Sequence, residues 1–282
     1  MGGFSRSTGA ATLDNCTNSG DIIFEGSATT SSKCVYIGGF AGDSSAATKF
    51  KTNCTNSGDV IFAGTAAGET RIGGLFGHAN ATLVSDGAGV AARNTGKVSN
   101  YLVKNGVTTV GKTAKLFMGG VIGKTWVDQK ILLQNTGDIN VRYAEGCYTD
   151  CAYIGGILGS ITLSAENGAV SGKVLTGAQC FCNIAAIGVT ESATVTPIVG
   201  VGMIIGNYRG ATALVNSCQL GGKLAVEEEN GQPIYLPVNQ NPIDDESFQK
   251  NGYFYYEKIY GGAYEWKDTN YDGCSYISSL EF

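Results

Sequence analysis

Ile72-Gly73-Gly74-Leu75-Phe76-Gly77 is the phrase on which the reading of this chain turns, because it recurs. Ile37-Gly38-Gly39-Phe40-Ala41-Gly42 precedes it, and Met118-Gly119-Gly120-Val121-Ile122-Gly123 and Ile154-Gly155-Gly156-Ile157-Leu158-Gly159 follow. The paired glycines stand 35, 46 and 36 residues apart. Between them runs a second phrase, Asn18-Ser19-Gly20, Asn56-Ser57-Gly58, Asn94-Thr95-Gly96 and Asn135-Thr136-Gly137, at intervals of 38, 38 and 41. Two unrelated phrases in step are the mark of stacked repeats, each too small to bury a core alone. Fainter copies continue: Ile184-Ala185-Ala186 and Gly202-Met203-Ile204-Ile205-Gly206 echo the first phrase. Cys218-Gln219-Leu220-Gly221-Gly222-Lys223-Leu224 echoes Cys54-Thr55-Asn56-Ser57-Gly58-Asp59-Val60. Gly2-Gly3-Phe4 fills the double-glycine slot, so the natural N-terminal neighbour of the chain is expected to be another repeat.

Composition agrees with this reading. Of 282 residues 42 are glycine and only 4 proline, and charged residues make up 15%, where about 25% is ordinary. The glycines do not recur every third residue, which excludes collagen, and 11 Phe and 14 Tyr argue against bulk disorder. No heptads suggest a coiled coil, and no apolar run is long enough to span a membrane as a helix. A net charge of −5 argues against nucleic acid as a partner. The charge is uneven: residues 1–226 hold 16 basic and 13 acidic side chains, and residues 227–282 hold 3 basic and 11 acidic ones. With three of the four prolines also beyond 226, residues 1–226 read as repeats and 227–282 as an acidic, non-repeating C-terminal cap. Met1-Gly2-Gly3-Phe4 has no basic or long apolar region, so no secretory leader is expected in this stretch.

Within one repeat three strand-like runs stand out, Val35–Ala41, Thr48–Asn53 and Asp59–Ala63, each closed by Gly, Ser or Asn. The expected fold is all-β: a right-handed parallel β-helix, a three-sided β-solenoid of about 35–46 residues per coil, in which equivalent residues stack in columns. Cys16, Cys54, Ala92, Leu133 and Cys218 form an apolar, inward column. Asp21, Asp59, Lys97, Asp138, Lys173 and Lys223 form a charged, outward one. The Asn18 column is expected to ladder its amides along the axis, and the double glycines to let backbone corners approach where a Cβ would clash.

At these residues the chain resembles the GLUG-motif repeat family of bacterial surface proteins. Gly74-Leu75-Phe76-Gly77 is the motif in its literal form, and Gly39-Phe40-Ala41-Gly42, Gly120-Val121-Ile122-Gly123 and Gly156-Ile157-Leu158-Gly159 carry another large apolar residue. The Cys-Thr-Asn-Ser-Gly phrase at 16–20 and 54–58 is similar to that of large repeat proteins of gut Bacteroidales. The resemblance covers residues 1–226 and implies a secreted or surface stalk or adhesin; a corner motif carries no chemistry.

Candidate chemistry is sparse. The lone histidine, His78, follows a glycine turn without a Ser or Cys in a recognised setting, and reads as an exposed turn residue. Asp43, Glu69, Asp128 and Glu145 share a face only if the coils happen to align them, as a glycan-cleaving groove would require. Asp268-Thr269-Asn270-Tyr271-Asp272-Gly273 resembles the opening of a calcium loop, with Asp268, Asn270 and Asp272 as oxygen ligands. Ser279 stands where a bidentate Glu belongs, so an ordinary turn is the competing reading. Cys147, Cys151, Cys180 and Cys182 are spaced too widely for a usual zinc site. They read as small packing residues, with a Cys147–Cys151 or Cys147–Cys180 disulfide open in an exported protein. From Tyr253 to Tyr276 nine of 24 residues are aromatic; they either plug the last coil or, through Tyr260, Tyr264 and Trp266, form a glycan-stacking platform. Glu229-Asn230-Gly231-Gln232 reads as a hairpin turn and Asp244–Lys250 as a short helix.

The sequence thus points to a non-enzymatic extracellular or cell-surface adhesion or stalk module binding a surface glycan or protein. It needs no cofactor unless calcium occupies the Asp268 loop. The competing readings are a polysaccharide-active hydrolase or lyase and a subunit that associates head to tail.

Overall fold

A computed structural model describes residues 1–144, 147–162, 172–187, 198–209, 213–216, 219–235, 256–259, 271–272 and 275–276. Among them there is no helix, so none long and apolar enough to cross a membrane. The protein is all-β, its strands running parallel in stacked sheets, the arrangement of a β-solenoid.

Each circuit of the chain visits five sheets, here A to E in order. Sheet A holds Val35–Gly38, Thr65–Gly73, Lys112–Gly119, Cys151–Gly155 and Ile198–Gly202, each in parallel register with the next. Past the double glycine the chain enters sheet B, through Ala41–Ser44, Phe76–Ala79, Ile122–Thr125, Leu158–Thr162 and Ile205–Arg209. Sheet C (Ala11–Leu13, Thr48–Phe50, Leu83–Ser85), sheet D and sheet E complete the turn. Sheet D contains Cys54–Asn56, Ala91–Asn94 and Leu132–Asn135, and sheet E contains Val60–Phe62, Val98–Ser99 and Ile139–Arg142. The run Val35–Ala41 is therefore two strands broken at Gly38-Gly39, and a repeat contains five short strands where three were expected. The double glycine thus redirects the chain from sheet A into sheet B.

The core is built from columns. Ile37, Ile72, Met118, Ile154 and Val201 stack in register on the inner face of sheet A and are buried. Full burial of such side chains contributes about 1.5–3 kcal/mol each. Phe40, Leu75, Val121, Ile157 and Ile204 fill the large-apolar slot after the glycines. Their amides donate coil to coil, as from Phe40 N to Leu75 O at 2.9 Å and Val121 N to Ile157 O at 3.0 Å. Cys54, Ala92 and Leu133 lie in one register as expected.

The asparagine column forms the ladder read from the sequence. Asn18 Nδ2 donates to Asn56 Oδ1 at 2.7 Å, Asn56 to Asn94 at 2.9 Å and Asn94 to Asn135 at 2.9 Å. Each amide also donates to the carbonyl two residues on, as from Asn94 Nδ2 to Gly96 O at 2.7 Å. The second glycine of each pair lies against this column. A Cβ on Gly39 would strike the Asn56 amide and Gly74 O, and one on Gly74 would strike the Asn94 amide and Gly120 O. The two repeated phrases are thus two halves of one contact. In the following coil Cys180 holds the asparagine slot, and it lies where a Cβ on Gly156 would go.

Two columns differ from expectation. Asn183, not Lys173, follows Asp138 in the charged column, because Ile139 pairs with Ile184; Lys173 pairs with Leu214 in the continuation of sheet C. In this column the acids work through the backbone: Asp21 Oδ1 accepts from Asp59 N at 2.8 Å, and Asp59 Oδ1 from Lys97 N at 2.9 Å. The Lys97–Asp59 ion pair, at 3.0 Å and partly exposed, adds about 0.2–1 kcal/mol at most. Ile184–Ile187 belongs to sheet E rather than to the double-glycine corner, whereas Gly202 does pair with Gly155.

An insertion accounts for the longest glycine interval. Tyr101–Lys104 and Val107–Val110 form an antiparallel hairpin around Asn105-Gly106, both with positive φ, and Val103 and Val107 are exposed near its tip. Beyond residue 226, Leu224–Glu229 and Gln232–Tyr235 form the expected hairpin, with Asn230 and Gly231 in the left-handed region. Tyr256–Ile259 pairs antiparallel with Ile198–Gly202, and Ser275–Tyr276 pairs parallel with Gln219–Leu220. Asp244–Lys250 lies outside the described residues.

Because backbone and an amide ladder occupy the space beside Gly74, Gly74→Ala is expected to destabilise the protein by more than about 3 kcal/mol. Gly87→Ala, at a glycine with open space around its Cβ position, is expected to change stability by less than about 0.5 kcal/mol. Urea unfolding followed by circular dichroism measures both.

Candidate functional site

The site arises from alternation. Where Ile37, Ile72, Met118 and Ile154 face the core, their neighbours Tyr36, Arg71, Phe117 and Tyr153 face away from it, aligned in one column. On sheet B the outward column is Asp43, His78, Lys124 and Ser160. Such residues would ordinarily be exposed. Here the two sheets pinch together after the double glycine: a Cβ on Gly77 would lie 2.5 Å from Ile37 N and 2.8 Å from Arg71 O. The outward side chains of both sheets therefore converge in a notch outside the core and bury one another.

The notch is charged and aromatic. Arg71 Nε donates to Glu69 Oε1, and Lys124 Nζ lies 3.1 Å from the same oxygen. The Arg71 guanidinium stands 4.8 Å from the centroid of Tyr36 and 5.3 Å from that of Trp126, in neighbouring coils on either side. Lys124 Nζ lies 4.2 Å from the Phe117 ring centroid. His78 Nδ1 is 3.0 Å from Asp43 Oδ1, and its ring is 5.2 Å from Tyr36 and 4.8 Å from Trp126, edge to face with the indole. The side chain of Arg71 is 4% exposed and that of His78 3%. His78 is thus a buried strand residue, not the exposed turn histidine expected, and it is the sheet contact that buries it.

Burial sets the ionisation of these groups. It pulls the His78 pKa down to about 3, with help from the Arg71 and Lys124 charges, so the imidazole is neutral despite the neighbouring carboxylate. Burial raises the Asp43 carboxyl, with Arg71 opposing, and takes Tyr36 up to about 12. Burial would raise Glu69 as well, but the hydrogen bond and charge of Arg71, with Lys124, outweigh it and leave its pKa lowered. Lys124 is lowered, by burial first.

Among the described residues His78 Nε2 has no hydrogen-bond partner, so none of their hydroxyls or thiols stands where a nucleophile would. Of the four acids considered as a groove, Asp43 and Glu69 meet in the notch, through His78 and the Arg71–Lys124 pair. Asp128 stands apart from these contacts, its carboxyl raised by burial, and Glu145 lies outside the described residues.

The remaining candidates separate. Tyr260, Tyr264, Trp266, Asp268 and Asn270 lie outside the described residues, and the backbone of Asp272 pairs with Asn216. Among the described residues no three His, Cys, Asp or Glu come together as metal ligands, so the cysteines at 147, 151, 180 and 182 do not assemble a zinc site. The seven described cysteines are free thiols. Cys147 donates to Gly111 O at 3.2 Å and Cys151 packs with Phe117 and Tyr153 outside the core, so neither bridges the other. Cys180 and Cys182 are core residues with sulfurs 3.4 Å apart. A cavity of about 640 Å³ adjoins the notch, lined among others by Arg6, Ser7, Tyr36 and Asp43. No family model, curated protein or solved structure matches this chain.

The histidine gives the notch a pH signature. The unfolded chain takes up a proton near pH 6.5 and the folded chain only near pH 3, so His78 contributes stability that is full above pH 6.5 and lost as the pH falls. Between pH 7.5 and 5 the loss is expected to be about 2 kcal/mol. The Asp43 carboxyl, shifted the other way, works in the opposite sense at lower pH. As this is the only histidine in the chain, His78→Gln should flatten the dependence. Urea unfolding of both proteins at the two pH values decides it, and equal wild-type stabilities would mean that the imidazole charges in the fold.

Proposed function

We propose that this chain is a non-enzymatic adhesion or stalk module of a secreted or cell-surface protein. It is built of GLUG-type repeats wound as a right-handed solenoid of about 35–46 residues per coil. An acidic cap closes it, and its faces meet glycan or protein ligands. The observation that supports this reading is the coil-to-coil pairing of parallel strands around a buried asparagine ladder. Stacked strands add about 4.8 Å of length per coil, and contacts confined to neighbouring coils give a stiff rod. Such a body holds a binding surface away from its anchor. Tyr260, Tyr264 and Trp266 remain candidate ligand contacts, and Asp268, Asn270 and Asp272 candidate calcium ligands. Head-to-tail association of the rods belongs to the same proposal.

A second reading, a polysaccharide-active enzyme, is favoured by the meeting of Asp43, Glu69, Arg71 and Lys124 in one notch. Against it, Glu69 is held by two cations, and His78 carries a proton acceptor with no nucleophile beside it. The two readings part experimentally. Beads coated with the full chain are screened against immobilised glycans and matrix proteins, and the soluble chain is incubated with neutral and uronic-acid polysaccharides. Adhesion predicts saturable retention and no new reducing ends or unsaturated sugars. Product release that disappears in Asp43→Asn would replace the adhesion reading with the enzyme.

A further inference from the structure

Two polar atoms in the notch have no partner among the described residues, although each belongs to a side chain almost wholly withdrawn from solvent: Arg71 Nη1 and His78 Nε2. A buried polar atom left without a partner loses the hydrogen bond it made in water, so two in one notch call for an occupant. Their characters are complementary. Asp43 accepts from His78 Nδ1, which places the ring proton there and leaves a lone pair on Nε2. Arg71 Nη1 can only donate. A hydroxyl group, which donates through its hydrogen and accepts through its oxygen, satisfies both at once; a carboxylate or an ammonium satisfies one and repels or strands the other.

The surroundings narrow the class further. Arg71 and His78 both lie between the rings of Tyr36 and Trp126, within 4.8 to 5.3 Å of each. Trp126 is 38% exposed and follows the last residue of Ile122–Thr125, outside the ladder that fixes its neighbours. Its indole packs against both side chains, and because it stands outside the strand it can turn without breaking a ladder bond. An aromatic face beside a hydrogen-bonding pair that wants a hydroxyl suits a pyranose, whose C–H face stacks on the ring while one hydroxyl points inward. The charges of the notch, Asp43 and Glu69 against Arg71 and Lys124, are balanced among themselves, so they call for no charge on the ligand.

The geometry points to a neutral-sugar binding site in this notch, with Arg71 Nη1 and His78 Nε2 holding one hydroxyl and the Trp126 indole turning out to stack on the ring. The inference rests on the reading of the chain as a ligand-presenting surface module. Its test uses Trp266→Phe protein, in which Trp126 is the only indole, titrated with methyl glucoside, galactoside and mannoside while tryptophan fluorescence is followed. At least one glycoside is expected to give a saturable change at about millimolar concentration. His78→Phe, which keeps the ring and removes the acceptor, is expected to weaken it by about tenfold or more, and His78→Gln, which restores an acceptor, to recover part of the loss. Thermal unfolding of each variant separates lost binding from lost fold. No saturable change with any of the three up to about 100 mM would overturn the site and assign the orphans to an enclosed water. Undiminished binding in folded His78→Phe would overturn it too. Retention of the His78→Phe chain on glycan beads would leave the adhesion reading standing without this site, so the two can fail separately.

Discussion

The fold depends on the absence of one carbon atom per coil. At Gly39, Gly74 and Gly120 the space a Cβ would need is filled by the neighbouring coil's carbonyl and by an asparagine amide from the same repeated pattern. That close approach lets sheet A turn back against sheet B, and it seals the amide ladder from water. Hydrogen bonds in such a column polarise one another in low dielectric, and each is costly to leave unmade. The glycine outlasts the asparagine by one coil: the ladder ends at Asn135, Cys180 takes the next slot against Gly156, and one coil later Met203 replaces the second glycine.

The pinch has a second effect outside the core. It withdraws from water a set of side chains that point away from the hydrophobic interior, and polar residues thereby gain an environment that strands seldom offer. Glu69 balances Arg71 and Lys124, while His78 is kept neutral. Taking so many charges out of water is favourable only when each is paired and the aromatic faces of Tyr36, Phe117 and Trp126 supply the remaining contacts. The notch is thus an outer counterpart of the core, built by the same corner.

What was legible in the sequence was whatever repeats. The double-glycine slot, the asparagine ladder and the inward place of Cys54, Ala92 and Leu133 follow from phrases that recur in step. Lys173 was misplaced because it copies a residue type without copying the register; Ile139 pairs with Ile184 and carries Asn183 into that column. The burial of His78 was not legible, since nothing in its neighbourhood tells how closely two sheets approach. For the same reason Arg71 and Trp126 drew no attention as site residues: their chemistry exists only when three coils are stacked. The hairpin at 101–110 has a signal of its own, Asn105-Gly106 between two strand-like runs, but it belongs to no repeated phrase.

The asparagine ladder has a direction. Every amide donates toward the coil of higher number, from Asn18 to Asn56 to Asn94 to Asn135. The column is therefore a one-way file of aligned dipoles, with a carbonyl oxygen foremost at one end and an N–H foremost at the other. The two ends of the file are electrically unlike. An amide turned the other way anywhere in the file would set N–H against N–H on one side and oxygen against oxygen on the other, so the four amides hold one another's orientation.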